Sequence, residues 1–413
     1  MKVLDSRASW VRLGVLLLVS SVSGVGMWSV VVTLPAVQAE FGVARGAAAL
    51  PYTLTMLGFA AGGVLMGRVA DRFGIARTVA GAGTMLGAGY ALASQMHSLL
   101  GYALVHGVLI GMLGAGAMFG PVMADASLWF QRRRGLAVAI AASGNYLAGA
   151  VWPPVVAAAT QAYGWRATEL GIGAAVVLAL VPLAWLLRAP APVQPGASNA
   201  ALGVPLSQAR LGLQPGALLA LLVAAGLGCC VAMSMPQVHI VAYCADLGYG
   251  PARGAQMLSV MLGLGIVSRV ASGWVADRIG GLPTLLAGSV LQGCSLLLFL
   301  FFDSLTSLYV ISGLFGLFQG GLVPSYAIIV REYFPARGVG AKVGLALAAT
   351  ILGMALGGWM TGVIFDATGS YRLAFVNGIG WNLMNGAIVA TLLWRARTRL
   401  PPVPGAGMPG QLA

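Results

Sequence analysis

The sequence predicts an all-α membrane protein with twelve transmembrane helices in two pseudo-symmetric six-helix bundles. Three observations lead to this prediction. The chain of 413 residues is 59% hydrophobic and only 8% charged, whereas soluble proteins average about 25% charged residues. One motif occurs twice, about half a chain apart. The basic residues also fall into alternate segments between apolar runs, as expected of a chain that crosses a membrane repeatedly.

The predicted spans are apolar runs that end at charged residues or at breaks rich in Pro and Gly. They cover 13–34, 47–66, 78–96, 99–124, 136–159, 167–187, 216–242, 254–273, 282–302, 305–330, 339–363 and 373–394. No clear small-x-small site ends the first run early, so we interpret it as a span and not as a signal peptide.

These spans divide the chain into four parts. We predict an N-terminal bundle at 1–187, a cytoplasmic linker at 188–215, a C-terminal bundle at 216–399 and a disordered cytoplasmic tail at 400–413. The linker is rich in Pro, Ala and Gly, a composition that does not support a packed core.

The duplicated motif is G-x-V-A-D-R-x-G, at 67–74 and again at 273–280. Its aspartates end predicted spans, where a carboxylate can accept hydrogen bonds from the N-terminus of a neighbouring helix. We therefore predict a gating role for the motif residues and for one basic residue that begins the fifth span. The set is Asp71, Arg72, Arg77, Asp277, Arg278 and Arg134. For Arg134 a solvated loop remains the alternative interpretation.

The distribution of Lys and Arg predicts the topology. With a cytoplasmic N-terminus, 18 of the 23 basic residues lie in cytoplasmic segments and 4 lie outside. This asymmetry favours cytoplasmic positions for both termini, in a bacterial-type inner (plasma) membrane. It also accounts for the net charge of +13 through contact with anionic lipid, without nucleic acid as a partner.

The one remaining basic residue, Arg269, lies within the predicted eighth span, about 12 Å before Asp277 by helix rise. An arginine at such a depth costs about 2.5–3.5 kcal/mol on insertion scales. Its planar guanidinium is always charged and matches a carboxylate. No acidic residue lies at the middle of a span, so we predict that Arg269 binds an anionic substrate. Alternatively, it reaches the cytoplasmic surface or pairs with Asp277.

The duplicated motif, the twelve spans and the central break resemble the major facilitator superfamily over essentially the whole chain. Several segments further resemble its branch of monocarboxylate transporters and oxalate:formate antiporters: 129–137, 238–248, Ser268-Arg269 with Gly273, and 366–372. The resemblance implies a two-bundle transporter that works by alternating access. It also implies that Arg269, at the place of the branch's eighth-span arginine, binds the substrate carboxylate.

The departures from that branch bear on the substrate. Proton-coupled animal carriers have a lysine in the first span and an acidic residue before the arginine, where this chain has Trp28 with Ser29, and Gly265. The oxalate antiporter has a second cation within the eleventh span, whereas here Lys342 lies at its start. One intramembrane cation favours a monoanion. Proton coupling stays open, with His239 and Asp125 as the available relays.

Further polar and aromatic residues within spans are candidates for the same binding site. An imidazole titrates near neutral pH, so His239 is a candidate contact or outer-gate residue, with interfacial packing as the alternative. Hydrogen-bonding and aromatic candidates, which could equally be packing residues or contacts between helices, are Asn145, Tyr146, Tyr326, Trp28, Tyr52 and Phe119. We interpret His106 as a packing residue.

We therefore predict a secondary transporter, not an enzyme, for a small organic monocarboxylate of lactate, pyruvate or aromatic-acid type. A proton is a possible co-substrate, membrane lipids are partners and a monomer is the functional unit. The alternatives are an organic anion antiporter, a metabolite or drug exporter, and a membrane sensor. The four cysteines have no metal-ligand spacing, no nucleotide-binding loop occurs, and we expect no cofactor or metal.

Overall fold

The protein is described here by a computed structural model that covers residues 4–189, 211–335 and 338–398. Almost all of these residues are helical, and no strand occurs among them. This confirms the predicted all-α class. The greater part of the predicted linker and the predicted tail lie outside the described residues. Below, the first half is 4–189 and the second half is 211–398.

The helices of the first half follow one another with short connections. They are α1 (Arg7–Ser23), α2 (Val25–Phe41), α3 (Arg45–Ala48), α4 (Leu50–Phe73), α5 (Ile75–Ala93), α6 (Leu99–Val105), a π-helix (His106–Gly116), α7 (Ala117–Trp129) and α8 (Arg134–Leu186). Within α8, Gly164 has a φ of 77° and breaks the helix between the predicted fifth and sixth spans. Only glycine adopts this backbone conformation readily.

The second half has the same alternation of long helices and short turns. Its helices are α9 (Pro215–Asp246), α10 (Pro251–Ile279), α11 (Gly281–Phe301), α12 (Leu305–Gln319), α13 (Leu322–Tyr333), α14 (Val339–Thr368) and α15 (Arg372–Thr398). Pro215 and Pro251 each begin a helix, because the missing N–H of proline costs nothing in the first turn.

Ten helical stretches among the described residues are long and apolar enough to cross a membrane. One of them, Gly135–Leu186, contains the break at Gly164 and therefore spans two predicted segments. Ile75–Ala93 is not one of the ten, although it coincides with the predicted third span. The protein is thus an integral membrane protein by its helices, and the count of twelve spans stays a prediction.

Glycines bring helix backbones into direct contact inside each half. In the first half, a Cβ on Gly58 or Gly62 of α4 would collide with the carbonyl oxygens of Gly107 and Met112 in the π-helix. In the second half, Gly316 of α12 has the same relation to the carbonyl of Met261 in α10. Such close approach is the usual role of small residues between membrane helices.

We expect Gly58→Ala to destabilise the protein, since the added methyl would meet backbone and not a flexible side chain. Overpacking of this kind costs about 1–3 kcal/mol. Gly63→Ala is the matched control, because nothing lies within 4 Å of a Cβ built at Gly63 on the same helix. Thermal unfolding in detergent would measure both variants. Equal melting temperatures for the two would contradict this view of the helix contact.

The molecule has two ends. The basic end holds Arg12, Phe73 and Arg77, and the opposite end holds Glu40, Arg45 and Arg166. Arg45, Arg166, Arg253 and Arg372, which the sequence predicts to be external, all lie at or near helix ends on the opposite side. Hydrogen bonds and an ion pair join the halves from this opposite end to the level of Arg269.

Candidate functional site

Arg269 lies where α10 of the second half packs against α8 of the first half. It is half-buried, ten residues before the end of α10 at Ile279, or about 15 Å by helix rise. Its Nε donates to the carbonyl of Gly320 at 3.4 Å and one terminal nitrogen donates to the carbonyl of Ala142 at 3.3 Å. Both bonds are long. Among the described side chains, none forms an ion pair with Arg269.

Of the predicted binding residues in the first half, Tyr146 contacts this guanidinium, and Asn145 and Trp28 lie next to Tyr146. The Arg269 Cζ atom lies 4.2 Å above the ring of Tyr146, a cation–π contact. The side-chain oxygen of the neighbouring Asn145 is buried and has no hydrogen-bond partner in the described part of the chain. The backbone carbonyl of Asn145 accepts from the indole of Trp28 at 3.1 Å. One aromatic ring, that of Tyr146, therefore contacts the positive charge of Arg269, while the side-chain oxygen of Asn145 faces Gly24 within the first half.

Two further candidates belong to the same apolar cluster between the halves, and one does not. Tyr52 and the half-buried Phe119 pack in the cluster that also contains Trp28 and Tyr146. The hydroxyl of Tyr52 is buried without a partner among the described residues. Tyr326, in contrast, packs within the core of the second half, where its hydroxyl donates to the side chain of Asn385 at 2.8 Å.

A clasp of five residues joins the halves at the opposite end: Arg45, Gly46, Asp246, Asp366 and Tyr371. Arg45 donates to both carboxylate oxygens of Asp246, at 2.9 and 3.1 Å, and to the hydroxyl of Tyr371 at 2.5 Å. The backbone N–H groups of Arg45 and Gly46 each donate to Asp366 at 2.7 Å. The carboxylate of Asp366 thus caps the start of α3, as a helix N-terminus favours.

His239 lies immediately inside this clasp. It is 1% exposed, and its Nε2 is 2.8 Å from the carbonyl oxygen of Gly358. Its Nδ1 is 3.4 Å from the hydroxyl of Tyr371, the same group that Arg45 contacts. His239 therefore belongs to the polar network of the opposite end and lies apart from the contacts of Arg269.

The predicted gating residues of the duplicated motif lie at the basic end, where the described ones are exposed. Arg72 and Arg77 are on the surface, and Arg278 covers the ring of Trp274 at 3.6 Å. Asp277 is exposed, and the first N–H of α11 is bound by Glu332 at 2.9 Å. The side chains of Asp71 and Arg134 lie outside the described residues.

The loop that precedes α8 is held by Asp5 at the basic end. Asp5 has a φ of 56°, and its carboxylate accepts from the backbone N–H groups of Gln131 and Arg132 at 3.2 and 3.1 Å. The hydrogen bond from Arg132 in particular holds the pKa of Asp5 below its ordinary value. This contact places the basic run at 132–134 against the N-terminal segment.

The structure gives Asp125 and His106 buried partners of the kind that form ion pairs. Asp125, a candidate proton relay, is held in a buried bidentate ion pair with Arg12, with oxygen–nitrogen distances of 2.7 and 2.9 Å. His106, interpreted as a packing residue, lies 3.3 Å from a carboxylate oxygen of Glu169, and both side chains are fully buried. The sequence offered one signal for this pair: an acidic residue at the third position of the predicted sixth span.

The chain is similar to known membrane transporters over most of its length. The family model described as Major Facilitator Superfamily matches residues 16–307 and 272–411. Monocarboxylate transporter 13 of Rattus norvegicus is 31% identical over 75% of this chain and 71% of its own length. The Bos taurus protein of that name is 31% identical over 78% and 75%. The crystal structure of a point mutant of the nucleoside transporter NupG superposes with a TM-score of 0.72 at 15% identity, over 93% of this chain and 99% of NupG.

Proposed function

The chain belongs to the Major Facilitator Superfamily, in its branch of monocarboxylate transporters, and from this we propose that it moves a small organic monocarboxylate across the membrane by alternating access. The family resemblance predicted from the duplicated motif is thereby confirmed. The substrate would bind between the halves, with its carboxylate on Arg269.

The observation that carries this proposal is the guanidinium of Arg269, which has long contacts to two carbonyls and no ion pair within the described part of the chain. A half-buried charge without a counter-ion is costly, and an anionic ligand would offset that cost. Arginine also binds a carboxylate through two parallel hydrogen bonds.

The charge balance supports a monoanion. Lys342, the cation that starts α14, lies at the basic end with its Nζ atom 5.5 Å from the ring of Phe334. It is therefore far from the level of Arg269, and a dicarboxylate would leave one charge unmatched. The aromatic rings of Tyr146, Trp28 and Phe119 would suit an apolar tail or ring on the acid.

Alternating access would use the clasp as its gate. In the structure the clasp joins the halves at the opposite end, which the predicted topology places outside the cell. With that orientation, this state would receive substrate from the cytoplasmic side. Opening the clasp and closing the basic end would expose Arg269 to the other side.

Thermal unfolding of the purified protein with a panel of ligands tests the substrate class. The panel contains acetate, L-lactate and benzoate, the dicarboxylates oxalate and succinate, and the cation tetraethylammonium. A ligand that binds the folded state adds about 2.7 kcal/mol to the free energy of unfolding at a hundred times its Kd, and this raises the melting temperature. We expect stabilisation by monocarboxylates in the wild type and none by the same acids in Arg269→Ala.

The other outcomes separate the alternatives. Stabilisation by oxalate or succinate above any monocarboxylate would favour an organic anion antiporter. Stabilisation by tetraethylammonium, or by acids equally in Arg269→Ala, would overturn the carboxylate role of Arg269. Uptake of the stabilising acid into proteoliposomes then distinguishes a transporter from a sensor, since a sensor binds ligand without flux.

A further inference from the structure

A second buried polar site lies within the first half, away from Arg269. Glu169 in the second part of α8 and His106 at the start of the π-helix are both 0% exposed, with Oε1 and Nε2 at 3.3 Å. Tyr102 donates to the same Oε1 at 2.5 Å. Within the described residues, Glu169 is the one carboxylate that has no exposed surface.

Each member of the pair keeps one atom free. The second carboxylate oxygen of Glu169, Oε2, and the Nδ1 atom of His106 are buried and have no hydrogen-bond partner in the described part of the chain. Buried polar groups are nearly always satisfied, so two orphaned atoms in one pair need an explanation. Both carry lone pairs when Glu169 is ionised and His106 donates from Nε2, and both can therefore accept a proton.

We propose that Glu169 and His106 form a proton-binding site of the transporter. A proton that adds to Oε2 of Glu169 converts a pair of net charge −1 into two uncharged side chains. In an apolar helix bundle the neutral pair is the favoured state, since burial penalises net charge. Loss of the proton leaves one unmatched negative charge, which requires the surrounding helices to move or to admit water.

Aromatic and charged side chains lie between this site and the opposite end of the molecule, and one tyrosine of α5 packs against it. On the outer side, the ring of Trp165 packs against Tyr102 at 5.3 Å, and beyond it Glu40 pairs with Arg166 at 2.7 Å, near His97. From α5, Tyr90 faces the edge of His106 at 6.2 Å. No further charged side chain among the described residues forms an ion pair with Glu169 or His106.

A hydrogen bond connects this region to the helix that lines the interface between the halves. The hydroxyl of Tyr90 lies 2.6 Å from that of Ser29 in α2. Ser29 follows Trp28, whose indole binds the carbonyl of Asn145 beside the Arg269 contact. The occupancy of the proton site can thus bias the position of α2. His106 also begins an eleven-residue π-helix, a rare form that is frequent at functional sites.

This inference rests on the proposed function for its role in transport, although proton binding itself does not depend on substrate. One proton and one monocarboxylate anion that cross together carry no net charge. The pair would thus supply the titrating group that the sequence lacks next to Arg269, where Gly265 precedes the arginine by one turn.

The first experiment follows the infrared carbonyl band of a protonated carboxyl group in the purified full-length protein from about pH 5 to pH 9. We expect a band whose intensity changes with pH in the wild type and which is missing in Glu169→Gln. A wild-type band that does not titrate, or one that is unchanged in Glu169→Gln, overturns the proposal. This readout needs no substrate, so it decides the proton site even if no acid of the panel is transported.

The second experiment uses proteoliposomes and the stabilising acid, L-lactate or benzoate. Glu169→Gln should lose the stimulation of uptake by a pH gradient, a coupling of about 5- to 150-fold, and keep exchange of labelled for unlabelled acid. Glu40→Gln, at the same end but paired with Arg166, is the matched control and should keep the stimulation. Stimulation retained in Glu169→Gln overturns the proposal, while monocarboxylate uptake could still stand.

A third variant guards against a folding defect. Tyr102→Phe keeps both titrating groups and the ring, and removes only the hydroxyl that donates to Glu169. The infrared band should move in frequency in this variant, because the carboxyl oxygen has lost a hydrogen-bond donor. An unchanged frequency would show that the band does not arise from Glu169.

Discussion

Arg269→Ala should reduce the uptake of monocarboxylate severely and leave a folded protein. Truncating one partner of a buried, hydrogen-bonded charge pair costs about 2–5 kcal/mol, so uptake at low substrate concentration should fall by roughly 30-fold to several thousandfold. The folded state should survive, because Arg269 has two long bonds to carbonyls and no ion pair among the described residues. Initial rates in proteoliposomes, with the thermal melting temperature as a folding check, measure both effects.

Two further variants make the result specific. Arg269→Lys keeps the charge and loses the planar fork, so we expect intermediate uptake with a raised KM. Arg253→Ala removes an exposed arginine from the first turn of the same helix and should transport like the wild type. Near-normal uptake by Arg269→Ala would remove the arginine from the binding site and leave it a structural role against Tyr146.

Arg45→Ala should shift the protein away from the state in which the opposite end is closed. The variant loses the paired bonds to Asp246 and the bond to Tyr371, and keeps the backbone bonds to Asp366. Breaking a fully buried ion pair costs about 3–5 kcal/mol. The Asp246 side chain is 35% exposed, so we expect a smaller cost of about 1–3 kcal/mol. This corresponds to roughly a 5- to 150-fold shift in the conformational equilibrium.

Cysteine accessibility measures this shift. Ala242 is buried and lines a cavity of about 340 Å³ beside Arg45 and Asp246. With Cys294→Ser to remove the one exposed cysteine among the described residues, Ala242→Cys should react with a polar maleimide faster when Arg45→Ala is added.

The control for this measurement breaks a different ion pair at the same end. Arg166→Ala removes the partner of Glu40, and both of these residues belong to the first half. It should leave the reaction of the introduced cysteine unchanged. Equal labelling rates with and without Arg45→Ala would mean that the clasp does not hold this end closed.

The fold could be predicted from the sequence because a lipid bilayer permits few backbone structures. A chain with 8% charged residues and long apolar runs has helices as its simplest way to satisfy the backbone in lipid. The duplicated motif then indicated two related halves. Arg269 could be identified for a similar reason: a charge inside an apolar run is expensive and therefore conspicuous.

The clasp and the proton site could not be predicted, since both depend on tertiary partners. Arg45, Asp246 and Asp366 look like ordinary residues of external turns, and only the packing of the halves brings them together. Glu169 lies near a span end in the sequence, close enough to water to pass as interfacial, and its burial comes from the helices around it. Tyr326 is the converse case. The sequence made it a candidate for substrate binding, whereas in the structure its hydroxyl donates to Asn385 inside the second half.

The glycine contacts inside each half imply that the two repeats differ in which helix of an equivalent pair is more sensitive to substitution. In the first half the tightest backbone approaches involve Gly58 and Gly62 of α4, the repeat's second long segment. In the second half they involve Gly316 of α12 and Gly320 at its C-terminal end, in the counterpart of the segment that α4 contacts. A saturation mutagenesis map should therefore show its least tolerant positions on exchanged members of the two equivalent helix pairs, with Gly111 of the π-helix as a further intolerant position, since a Cβ there would lie 2.5 Å from the carbonyl oxygen of Thr55. In a chimaera with α4 in the place of α10, the glycines of α4 would face those of α12. The contact between these two helices would then contain a void.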